Sequence, residues 1–319
     1  MMIKDTIQPK EIFLLEHYTS IEYFGELRDV WGKLISHLEM CLTTFMQNLP
    51  ADYRSRALPE QPDIVWGERV LPNFRETFQG LCSGYIKLSH GDASGLHFAH
   101  GPLSDFKGQA DFWADWMSPT DQDSYGDLLS TAVSMASNIC ASEGAYWNPV
   151  DLRANADEID TLQISKIWTS YRIESDVSVI SGAKTSQDGI YVPDVEHSCA
   201  QFLSKKYAQA PEAIVLVRME DLLSPSTGQK YGEQPVYRKE PCTWYLVERT
   251  PGGIEISSLP SLIGKGTHRL LAGDSCREAG YYFTPSRKDS RRKFAKDEIM
   301  PDFNTGYGAT IWQWDSNQS

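Results

Sequence analysis

From Phe24 to Phe45, apolar residues recur at steps of three and four: Phe24, Leu27, Trp31, Leu34, Leu38, Cys41 and Phe45. That period belongs to the α-helix. A stripe this long commits the first part of the chain to helix–helix packing, because it needs a second apolar surface to cover it. The neighbouring sequence offers several. Pro72 stands where a helix can begin, with Phe74, Phe78, Leu81 and Tyr85 on one face. Phe106, Ala110, Trp113 and Met117 fit the inner face of a third helix, which sets Asp111 and Asp115 opposite and Phe112 and Trp116 at the border. Ser118-Pro119-Thr120-Asp121 reads as an N-cap, a first-turn proline and an acidic third position. It opens a fourth helix with Tyr125, Leu129, Ala132, Ala136 and Ile139 inward. A less regular segment from Ile159 to Tyr171 predicts a fifth.

The pattern changes near Ser181-Gly182. Asp194 is placed to cap a helix through Cys199, Phe202 and Leu203, and short β-type runs follow: Ala213–Arg218, Thr243–Glu248 and Gly253–Ser257. The last two flank Arg249-Thr250-Pro251-Gly252, a turn sequence, and so predict a hairpin. From Leu271 the text reads as aromatic loops. The expected fold is α+β, a helical N-terminal half (1–180) packed on a small antiparallel sheet with extended C-terminal loops (181–319). With no long linker between them, the halves are expected to pack together.

Charge separates the halves as well. Residues 1–180 carry 26 Asp and Glu against 13 Lys and Arg, while residues 181–319 carry 17 of each, so the net charge of −13 arises in the first half. An acidic chain is a poor non-specific binder of nucleic acid or anionic lipid, and neither is expected as a partner. No apolar run approaches the length of a membrane helix and no signal-peptide pattern opens the chain, so the sequence reads as a cytoplasmic protein. The six cysteines lie far apart without a C-x-x-C, as buried reduced thiols do.

No G-x-S-x-G, P-loop, strand-borne G-x-G-x-x-G or H-E-x-x-H is found. "GDASG" around Ser94 lacks the strand–turn–helix setting of a nucleophile elbow. The one chemically suggestive stretch is Ser89–Asp105, "SHGDASGLHFAHGPLSD", which holds His90, Asp92, His97 and His100. His97 and His100 can share a helix face, and a metal-dependent hydrolase built on these four is one reading. Gly91, Gly95, Gly101 and Pro102 interrupt the segment, however, and favour histidines satisfied by backbone carbonyls. No catalytic residue, metal or cofactor is therefore expected.

Two charged stretches remain. Ser286–Lys296 holds six basic residues and is expected to pair internally or form a solvated loop. Asp105–Asp127 interleaves acids with aromatics, the mixture that serves a basic protein partner: rings bury area while carboxylates steer association. The expected contact residues are Asp111, Asp115, Trp116, Asp121, Asp123 and Asp127.

Ala272-Gly273, Cys276, Gly280-Tyr281-Tyr282-Phe283-Thr284-Pro285, Arg291-Arg292-Lys293-Phe294, Met300-Pro301 and Tyr307–Trp314 together carry a resemblance. This closing module is similar to that of immunity proteins, the cognate inhibitors of polymorphic and type VI secretion toxins, and in particular of the TsiT-like group that neutralises a nuclease effector. Glu298 and Arg277 depart from it, standing where a glycine and a proline are expected. The resemblance implies stoichiometric binding of a toxin rather than catalysis, and it names no contact residues. An adaptor or chaperone for a secreted effector is the remaining alternative.

Overall fold

A computed structural model describes residues 8–157, 167–206, 209–255, 269–276, 279–284, 290–303 and 310–315. The chain divides into two compact units, Met1–Ile256 and Ser257–Ser319. The boundary at Ser181-Gly182 is not a division between compact units. Gly182, at φ +86°, makes a turn inside the first unit, and the glycine there relieves a backbone that a side chain would strain. The fold class is α+β, with helices first and antiparallel strands after them.

The first unit opens with α1 (Pro9–Tyr18) and α2 (Ile21–Gln47), the latter capped by Ser20, whose hydroxyl accepts from Tyr23 N. The apolar stripe on α2 is buried from Phe24 to Cys41. At its centre Trp31 is fully buried, its ring against Phe74 and its indole N–H donating to Phe74 O at 2.9 Å. A buried indole needs that acceptor, since an orphaned N–H in the interior costs about 1–3 kcal/mol. A π-helical stretch, Asp63–Val70, runs into α3 (Leu71–Ser89), where Pro72 occupies the first turn as expected. A 3₁₀ segment, Ala93–Ala99, leads into α4 (His100–Gln109). α5 (Pro119–Glu143) carries the expected cap, with Ser118 Oγ accepting from Asp121 N and donating to Asp121 Oδ2. Its five expected inward residues are all buried. α6 (Pro149–Asp157) closes the helical part.

The third helix stops sooner than its apolar spacing predicts. α4 ends at Gln109, and residues 110–117 form tight turns, with Phe112 N donating to Gln109 O and Met117 N to Ala114 O. Without a helix the periodic reading holds at Met117 and fails at the other three inward positions, Phe106, Ala110 and Trp113. Phe106 and Trp113 are exposed, while Trp116 and Met117 are buried. Trp66 enforces this by donating its indole N–H to Trp113 O at 3.2 Å while packing edge-on against Trp116.

The strands are β1 (Ile167–Ile180), β2 (Gly189–Pro193), β3 (Gln201–Leu203), β4 (Ala213–Leu223), β5 (Lys230–Glu240) and β6 (Thr243–Glu255). They form an antiparallel sheet of order β1-β6-β2-β3 and a separate β4-β5 ribbon. Three expectations fail here. The helix drawn from Ile159 to Tyr171 falls partly outside the described residues, and Ile167–Tyr171 belongs to β1. Asp194 caps no helix: its Oδ1 accepts from Thr243 N at 2.8 Å, and Phe202 and Leu203 lie in β3. The hairpin at Arg249–Gly252 is a single strand instead. β6 pairs with β1 on both sides of that tetrapeptide, and its register jumps from Thr250 to Gly253 between Ser170 and Thr169. A bulge is where a strand can hold Pro251, which has no N–H to give the ladder.

α1 lies against β1 and β6 through Glu16, which accepts from both Tyr171 Oη and Arg249. Trp147 O, between α5 and α6, accepts from Gln201 Nε2 at 2.6 Å and so ties β3 to the helical layer. The second unit is a sheet rather than loops: β7 (Arg269–Leu271), β8 (Gly280–Phe283), β9 (Arg292–Phe294) and β10 (Ile311–Trp314), ordered β7-β10-β8-β9. Its core is Leu270, Cys276, Tyr282, Phe294, Met300 and Trp312. No helix among the described residues is long and apolar enough to cross a membrane.

Candidate functional site

Of the four residues in the Ser89–Asp105 stretch, the fold brings two together. Gly95 meets Gly84 backbone to backbone: a Cβ on Gly95 would fall 2.3 Å from Gly84 O, and one on Gly84 would fall 2.7 Å from Gly95 O. This contact lets the 3₁₀ segment lie flush on α3, with Leu96 and Ala99 buried. In a 3₁₀ turn residues three apart eclipse one another, so His97 and His100 project on the same side. Their ring centroids are 4.9 Å apart, tilted by 49°.

What they face is the last residue of α5. Glu143 Oε1 lies 3.3 Å from His97 Nδ1, and Oε2 lies 3.3 Å from His100 Nε2. The Glu143 side chain is 4% exposed, whereas those of His97 and His100 are 69% and 44% exposed. Beyond them opens a cavity of about 340 Å³ lined also by Tyr146, Phe202, Ser204 and Pro211. Glu143 went unread in the sequence. A signal existed: α5 ends on an acid with no base in its last turn, which sets negative charge on the negative end of the helix dipole. Burial at the adjacent Cys140, and then the charge of Glu143, push that thiol up to about 12.

His90 and Asp92 do not join this cluster. His90 is the exposed C-cap residue of α3. Asp92 caps the 3₁₀ segment, accepting from Ser94 N at 3.0 Å, and forms an ion pair with Lys206. Lys206 and the Ser94 hydrogen bonds hold its carboxyl well below the usual carboxylate range. The four-residue set is thereby corrected to His97 and His100 with Glu143.

The residues expected to meet a partner separate into two groups. Asp111, Asp115, Asp123 and Asp127 are exposed, and no cation pairs with them among the described residues. Asp123 and Asp127 lie one turn apart on α5. Asp121 is half-buried and engaged in the α5 cap. Trp116 is 8% exposed, edge-on to Phe45 at 5.7 Å and to Trp66 at 5.6 Å, so it is a core ring and presents no surface to a partner. Trp113, at 41% exposure, lies between Asp111 and Asp115 in the chain, its indole N–H donating to Pro59 O at 3.3 Å. Beside this turn a cavity of about 550 Å³ is lined by Val70, Phe74, Asp105, Gln109 and Phe112. Asp105 Oδ2 is turned from solvent there without a hydrogen-bond partner, and burial pushes its carboxyl up.

A second His-containing cluster, His37, Cys41 and Asp121, is internally occupied. His37 Nε2 lies 2.9 Å from the backbone oxygen of Asp121, and burial, with the nearby Asp121 charge, pushes the Cys41 thiol up to about 11.

Comparison with protein-family models, curated proteins and solved structures returned no match, so the reading of both surfaces rests on their own chemistry.

Proposed function

We propose that this chain is an immunity-type inhibitor that neutralises a cognate toxin, a nuclease of a type VI or other polymorphic secretion system, by stoichiometric binding. The observation that carries the reading is a set of four exposed carboxylates, Asp111, Asp115, Asp123 and Asp127, with no cation paired to any of them among the described residues. A nuclease needs a positive surface to hold phosphate, and an acidic inhibitor can occupy that surface and exclude the substrate. Trp113, in place of the buried Trp116, is the aromatic anchor of this face. The neighbouring cavity adds a polar end point. Asp105, half-buried in its lining, supplies a carboxylate there. The C-terminal resemblance to immunity proteins points the same way.

The test is co-expression with the toxin encoded at the neighbouring locus. The toxin is lethal alone and harmless beside this chain, and the two co-purify as a stable complex. Charge reversal by Asp111→Lys with Asp115→Lys slows association and flattens its dependence on salt, while the fold is retained. A neighbouring toxin that neither binds nor is neutralised defeats the reading. An unchanged association rate at low salt in the double variant defeats the placement alone.

A further inference from the structure

We propose that His97, His100 and Glu143 form a binding site for one divalent transition-metal ion of the zinc class. Their ligand atoms all lie within 4.8 Å of one another. The separations themselves are informative. A charge-assisted N–H···O bond between a histidine and a carboxylate closes to about 2.7–2.9 Å. Both His–Glu distances stand at 3.3 Å. Tetrahedral bonds of about 2.0–2.1 Å set neighbouring ligand atoms about 3.3 Å apart. Each imidazole thus faces a different oxygen of the one carboxylate, at a separation that an ion between them can bridge.

Electrostatics supplies an independent reason. Glu143 holds a 4%-exposed carboxylate at the C-terminal end of α5, where the helix dipole opposes negative charge and no basic residue occupies the last turn. A buried carboxylate in that setting calls for a cation, and the two facing imidazoles are metal ligands when neutral. The donor set of two nitrogens and a carboxylate selects zinc, iron, nickel or copper over magnesium or calcium, which take oxygen ligands. Both histidines are open to solvent on the side of the 340 Å³ cavity, which leaves a coordination position for water or an incoming ligand. The backbone contact of Gly95 with Gly84, argued above, is what carries the histidines to this position. The ion would join α5 to the start of α4. This proposal is independent of toxin binding, and either can fail without the other.

The experiment is a calorimetric titration of chelator-stripped, full-length protein with Zn²⁺, repeated on His97→Ala, His100→Ala, Glu143→Gln and the control His90→Ala. The expected result is one equivalent bound by the wild type and by the control, with affinity lowered at least about tenfold in the other three. Should Glu143→Gln not fold, the two histidine variants, whose side chains are largely exposed, decide the matter. Co²⁺ in place of Zn²⁺ is expected to give ligand-field absorption without a thiolate charge-transfer band. Absence of saturable binding, undiminished affinity in His97→Ala and His100→Ala, or a thiolate band placing the ion at Cys41 would each overturn the proposal.

Discussion

Arg291 and Arg292 have their charge answered at short range, whereas Asp111, Asp115, Asp123 and Asp127 do not. Arg291 pairs with Asp315 at 2.5 Å and lies 4.0 Å over the Tyr281 ring. Arg292 pairs with Glu298 at 3.0 Å and lies 4.2 Å over Phe294. The four aspartates are exposed and pair with no cation among the described residues. A count of charges along the chain treats the two stretches alike. The contacts show that one is part of its own unit's framework and the other is left to solvent. Only unspent charge projects a field that can steer a partner. The comparison therefore predicts a division: changes around the basic strand lower stability, and changes on the acidic face lower association.

The largest effect is expected from Trp312→Ala. Trp312 is fully buried, edge-on to Phe294 at 4.9 Å, with its indole N–H donating to Pro301 O at 2.8 Å, and the Arg292 guanidinium lies 5.9 Å from its ring. Removing it leaves a cavity and an unpaired carbonyl, at a cost of about 3–5 kcal/mol. Amide hydrogen exchange is the measurement: protection should collapse in β8, β9 and β10 while the α2 amides keep theirs. Protection retained at β9 would mean that the arginines do not depend on the core beneath them, and the proposed division would lose one side.

The two tryptophans of the acidic turn sharpen the other side. Trp116→Ala removes a ring from the Phe45–Trp66 cluster and should cost about 3 kcal/mol of folding stability by chemical denaturation. Trp113→Ala removes an exposed ring and should leave stability within about 1 kcal/mol, while speeding dissociation of the toxin complex by the equivalent of about 2 kcal/mol. If Trp113→Ala leaves the dissociation rate unchanged, the anchor lies elsewhere.

Why the sequence exchanged these two rings is a question of local geometry. The stripe on α2 was legible because one uninterrupted helix carries it, and there spacing and burial are the same information. The same reasoning fails after Gln109, where two successive turns replace the helix and Trp66, distant in sequence, determines which indole goes inward. β5 was missed for a related reason. Its residues, KYGEQPVYRKE, show no alternation because the two-stranded ribbon leaves most of both faces in water. β6 was split at Pro251-Gly252, since a turn signal and a bulge signal use the same residues. At the histidine site, the i, i+3 spacing of His97 and His100 was readable. Its third member lies 43 residues beyond His100 and arrives only through the packing of α5 on the 3₁₀ segment.

The smallest effect discriminates best between spent and unspent charge. Arg292→Ala removes an exposed ion pair and a ring contact, together worth about 1 kcal/mol or less. Its ion-pair share should shrink as salt is raised from low to physiological strength, because screening weakens a pair that water already surrounds. Asp111→Ala should behave in the opposite sense. No cation is lost with it, and one negative charge is removed from a strongly acidic part of the chain, so stability should hold or rise slightly at low salt and the difference should vanish as salt increases. The measurement is a pair of denaturation series across ionic strength. If Asp111→Ala instead destabilises the fold with the salt profile of Arg292→Ala, the carboxylate has an internal partner. The acidic turn would then be framework in the same sense as β9, with no field left for a toxin to follow.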